Sequence, residues 1–155
     1  MQETHQNLQR WYTKRKNVVA RREYWQPKLD QIAAAGREYF ESGGFEPDPV
    51  TGEPVFTVES KPINGFFHKV LQVRALIGAT LTIGVPLDAE NLVLRVSDAP
   101  FTASDLYDND HATELRGTQP PLEGELVFPT GPSNQMPRSL SYVFGSFVDR
   151  AFGGP

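Results

Sequence analysis

Large apolar and aromatic side chains recur every seven residues along the first forty positions of the chain. The main register contains Trp11, Val18, Trp25, Ile32 and Tyr39, and the next register contains Tyr12, Val19, Ala33 and Phe40. Residues seven apart lie almost above one another on an α-helix, so this pattern predicts a helix with one continuous apolar stripe. Arg15 and Arg22 add positive charge along the edge of the stripe.

Pro27 falls in the middle of this helical pattern. A proline inside a helix removes a hydrogen bond and clashes with the preceding turn, at a cost of about 3 kcal/mol. At the first position of a helix it is tolerated. We therefore predict a basic helical arm over residues 1–42 that is either one kinked helix or two helices meeting at Pro27. The Gly43-Gly44 pair supplies a residue that commonly ends a helix.

Residues 43–54 contain three prolines and three glycines, which predicts a linker without regular structure. Short apolar runs bounded by turn residues follow, and they predict strands near residues 54–60, 79–85, 91–97, 125–128 and 140–148. The run over 66–77 fits either a strand or a helix, and its neighbours favour a strand. Together the patterns predict an α+β fold in which residues 55–155 form a mainly antiparallel β-sandwich or small β-barrel. This β domain would carry a long loop over 99–121 and an irregular C-terminal tail.

The formal charge of −4 is unevenly distributed along the chain. Residues 1–42 carry eight basic and five acidic residues (+3), and the remaining residues carry seven basic and fourteen acidic residues (−7). The two segments are therefore expected to face different partners. Because the whole chain is acidic, contact with nucleic acid is expected only through the N-terminal helix. We expect neither a signal peptide nor a transmembrane segment, since the first residues are polar and no apolar run is long enough.

Motifs that would carry chemistry are weak. The absence of cysteine excludes disulfides and thiolate catalysis, and neither a nucleophile elbow nor a glycine-rich phosphate loop occurs. Asp108, Asp110 and Glu114 could offer oxygen ligands to Ca²⁺. Their spacing differs from that of an EF-hand, and a solvated acidic loop is the favoured explanation. We expect no catalytic activity and no cofactor.

The stripe and the charge split favour a non-enzymatic structural or assembly protein of a large complex, such as a virion component. The arm would contact copies of the chain or other subunits through its stripe, with the contact residues Trp11, Tyr12, Arg15, Val18, Arg22 and Trp25. A helix packed on its own β domain, or one lying on a membrane surface, would show a similar pattern. The alternative function is a ligand- or carbohydrate-binding module with a cation-binding loop at 105–114. For an assembly component we expect assembly in the cytoplasm, although the sequence leaves the compartment open.

Overall fold

The chain begins with one long helix. The computed structural model describes residues 2–87, 92–106, 125–127 and 136–153. Helix α1 spans Gln2–Glu41 and contains Pro27 in its interior, so the alternative of two separate helices is wrong. At about 1.5 Å per residue the helix is about 60 Å long. Its last turn ends where the Ser42 amide donates to the Glu38 carbonyl (3.1 Å), and Gly44 follows with a φ of 80°.

Five strands form one antiparallel sheet in sequential order. They are β1 (Phe56–Lys61), β2 (Phe66–Ala75), β3 (Thr80–Pro86), β4 (Val93–Ser97) and the three-residue β5 (Glu125–Val127). The α+β arrangement is confirmed, and the ambiguous run over 66–77 is a strand up to Ala75. The described strands make a single open sheet, so the predicted sandwich or barrel is not confirmed.

One face of the sheet forms the core, as the alternation in the sequence requires. In β1, Phe56 and Val58 are buried whereas Thr57 and Glu59 are exposed. Phe56 lies opposite Ala75, and Val58 lies opposite Val73. The second half of α1 packs on this face through four buried side chains: Trp25, Leu29, Ile32 and Phe40. Gly36 allows the close approach, because a Cβ there would lie 2.7 Å from Leu71 Cδ2.

The C-terminal segment is helical, which differs from the prediction. Residues 140–148 were predicted as a strand and the end of the chain as an irregular tail, but Met136–Gly153 is a helix, α2. Its buried residues Leu140, Val143, Phe144 and Phe147 follow the spacing of a helix rather than the alternation of a strand. They complete the core beside the C-terminal half of α1.

The beginning of the predicted loop over 99–121 is ordered against the core. Ala103–Leu106 forms a short 3₁₀-helix, and both of its terminal side chains are fully buried. The Thr102 amide donates to the Asp105 carboxylate (2.8 Å), which satisfies one of the free amides at the start of this turn. The rest of the loop, residues 107–121, lies outside the described residues.

Candidate interaction surface

The first half of α1 extends beyond the sheet. Residues 3–20 are all exposed, and at about 1.5 Å per residue they form a projection of about 27 Å. From here on we restrict the name arm to residues 2–20, the projecting part of the predicted helical segment. Arg21 marks its base, since its guanidinium donates to the carbonyls of Pro86 (2.6 Å) and Leu87 (2.8 Å). The same guanidinium lies 5.5 Å from the ring centre of Phe67.

Five of the six predicted contact residues are exposed. Trp11 is 54% exposed and Val18 is 39% exposed, and Tyr12, Arg15 and Arg22 also face solvent. The Arg15 guanidinium lies 5.9 Å from the Trp11 ring centre, a cation–π contact that leaves much of the ring accessible.

Trp25 differs from the other five predicted contact residues. It is 3% exposed and belongs to the protein's own core, so it supports the fold instead of presenting a surface. The two halves of the stripe therefore lie in different surroundings. Its C-terminal half is covered by the sheet, and its N-terminal half is not covered by any described part of the chain.

The arm is strongly basic compared with the rest of the protein. Residues 2–20 contain four basic residues and one acidic residue, a net charge of +3. The other residues contain eleven basic and eighteen acidic residues, a net charge of −7, and the two parts sum to the overall −4. A surface that is both cationic and apolar is suited to an acidic partner with apolar contacts of its own.

A groove of about 720 Å³ lies elsewhere on the surface. Eight residues line it: Glu46, Pro47, Asp48, Pro49, Val55, Leu76, Ile77 and Phe152. The turn residue Ile77 is 60% exposed and Phe152 of α2 is 46% exposed. The groove therefore combines exposed apolar side chains with two carboxylates, and we call it the acidic groove.

Asp48 stabilises the linker turn that forms one wall of the acidic groove. Its carboxylate accepts hydrogen bonds from the Val50 amide (3.0 Å) and the Thr51 hydroxyl (2.9 Å). The bond from the Val50 amide, followed by that from Thr51, lowers the pKa of Asp48 below its usual value. The carboxylate is therefore negatively charged at neutral pH, and the wall keeps its charge.

Sequence reasoning missed the groove because its lining comes from three separate segments. The available signal was the apolar pair Leu76-Ile77 immediately before Gly78, in a turn where polar residues are usual. Of the C-terminal aromatic residues, Phe144 and Phe147 are buried, whereas Phe152 is exposed. Only Phe152 therefore contributes to this surface.

The proposed cation ligands Asp108, Asp110 and Glu114 lie outside the described residues. In the described part of the chain, no group of three or more histidine or acidic side chains could hold a metal ion. His68 pairs with Asp30 (Nε2 to Oδ1, 3.1 Å) and so joins β2 to α1. These two side chains supply a contact between elements and make no metal centre.

Comparisons with family models, curated proteins and solved structures found no match. Within the residues that the structure describes, neither α1 nor α2 has the length and apolar character needed to span a bilayer.

Proposed function

We propose that this protein is a non-enzymatic assembly component, of the kind found in virions and other large complexes, that associates with further copies of itself through its N-terminal arm. The observation that carries the proposal is the exposure of Trp11 and Val18 on the same helix face that, further along, packs on the sheet. Monomeric proteins rarely leave a continuous apolar surface in water, and such surfaces commonly mark sites of protein contact.

The rigidity of α1 supports this function. The arm continues a helix whose other half is fixed in the core, so its side chains are presented in a defined direction. A preordered surface loses little conformational entropy on binding, which favours association. The charge of the arm provides steering towards an acidic surface, and the remainder of this same chain is acidic.

The test is sedimentation velocity of the full chain over a range of concentrations, before and after nuclease treatment. The wild type should form species larger than the 17.3 kDa monomer as concentration rises. An arm variant carrying Trp11→Ala and Val18→Asp should stay monomeric. Gln9→Asp is the matched control, because it places the same charge about 180° around the helix from Val18, and it should associate normally.

Two results would contradict the proposal. A wild type that is monomeric at every concentration would show that the arm does not drive self-association. Association that disappears after nuclease treatment would show instead that the basic arm binds nucleic acid.

A further inference from the structure

The arm and the acidic groove lie at opposite ends of the sheet. Arg21, at the base of the arm, contacts the carbonyl of Pro86, the last residue of β3. Ile77, in the groove, lies in the turn that precedes the first residue of β3. Seven residues of strand separate the two sites, which corresponds to about 23 Å. Because the arm continues a helix whose other half is fixed in the core, it cannot fold back over this distance, and the groove of the same molecule is out of reach.

The two surfaces are complementary in chemistry. The arm presents Trp11 and Val18 among basic side chains, whereas the groove presents Ile77 and Phe152 beside acidic ones. Contact between the apolar side chains would remove water from both surfaces, and the charged side chains beside them have opposite sign. Two arms meeting each other would instead bring together two segments that each carry a net charge of +3. This repulsion disfavours a symmetric arm-to-arm dimer.

We propose that the arm of one copy docks in the acidic groove of the next copy, so that molecules associate head to tail. This inference rests on the proposed self-association and specifies its interface. Such a contact is heterologous, since two different surfaces meet. Repeating it produces a ring when the rotation from each copy to the next brings the last copy back to the first, and a filament when it does not.

Complementation between two variants tests this arrangement. The arm variant, Trp11→Ala with Val18→Asp, keeps its groove. Ile77→Lys keeps its arm but places a positive charge and a polar group in the groove. Each variant alone should associate at least about tenfold more weakly than the wild type, because each loses apolar contacts of more than about 1.4 kcal/mol. An equimolar mixture should form a complex of two chains and nothing larger, because one intact arm and one intact groove remain.

Gln31→Lys is the matched control, since Gln31 is exposed on α1 away from the groove, and it should assemble like the wild type. Both variants alter exposed positions, and circular dichroism should show that they fold. If Ile77→Lys assembles normally while the arm variant does not, the arm docks elsewhere and the head-to-tail contact is wrong. If both variants fail alone and the mixture also fails, the contact is likewise wrong, although self-association of the wild type would stand. A wild type that never associates would remove the proposed function itself.

Discussion

Replacing Trp11 by alanine gives a quantitative test of the exposed stripe. A tryptophan contributes up to about 250 Å² when fully buried. Trp11 is 54% exposed, which leaves about 130 Å² of that area to be covered by a partner. At about 25 cal/mol per Å², covering this area would contribute about 3 kcal/mol to association. Alanine retains a small part of the area, so Trp11→Ala should weaken association by about 2–3 kcal/mol, or roughly 30- to 150-fold in the dissociation constant.

The free energy of unfolding of the monomer should hardly change in the same variant. Trp11 lies outside the core, and substitutions of this kind usually shift stability by no more than about 0.5 kcal/mol. Urea unfolding at low protein concentration measures this quantity, and sedimentation velocity measures the dissociation constant. A weaker association without a change in the free energy of unfolding identifies Trp11 as an interface residue and not a structural one.

Tyr24→Ala is the matched aromatic control for Trp11→Ala. Tyr24 is 40% exposed and lies about 140° around the helix from Trp11, at about 3.6 residues per turn. It should leave the dissociation constant unchanged. Trp11 does not lie in the interface if Trp11→Ala also leaves that constant unchanged, or if Tyr24→Ala weakens association by as much.

Three further predictions concern the body of the protein. Trp25→Ala should lower the free energy of unfolding by about 3–5 kcal/mol in urea titrations, because a large side chain is lost from the core. Gly36→Ala should destabilise by up to about 2 kcal/mol in the same assay, since overpacking of the new Cβ against Leu71 costs about 1–3 kcal/mol and the gain in helix propensity offsets about 1 kcal/mol of it. For Asp48→Asn, the loss of stability relative to the wild type should be fully present above the unfolded pKa of 3.8 and should vanish as pH falls through the lower folded pKa. Urea unfolding of both proteins along a pH series measures this difference, and a difference that persists at the lowest pH would contradict the lowered pKa.

The repeat in the sequence predicted α1 well, but it could not tell where the helix leaves the sheet. Trp11 and Trp25 occupy the same register, two repeats apart, and nothing in their local sequence distinguishes them. They lie about 21 Å apart along the helix axis, and the sheet covers one and not the other. Burial of a residue on α1 depends on how far the sheet extends, and the periodicity of the α1 sequence contains no information about that extent.

The wrong prediction for residues 140–148 has a local cause. The run over 140–148 is rich in aromatic residues and valine, which favour strands, and this preference hid the helical spacing of Val143, Phe144 and Phe147. In the structure, packing of this segment against α1 outweighs the strand propensity of its residues, because tertiary contacts often override local propensity. Of the two alternatives at Pro27, the structure excludes two separate helices, because α1 continues through the proline. Core contacts on either side of Pro27, at Trp25 and Leu29, hold the helix together across the proline.

The direction of α1 determines which assemblies the proposed contact would permit. The helix is fixed to the sheet at Arg21 and again through the core around Phe40, so the arm and the acidic groove keep a fixed relation within each copy. Every added copy would then be placed by the same rotation and translation as the one before. A growing assembly would always present a free arm at one end and a free groove at the other. Growth could stop only when the repeated rotation brings the last copy back to the first. A closed pair of chains would therefore require a two-fold rotation without translation, so that each arm enters the groove of the other copy, and every other rotation gives a larger ring or a filament.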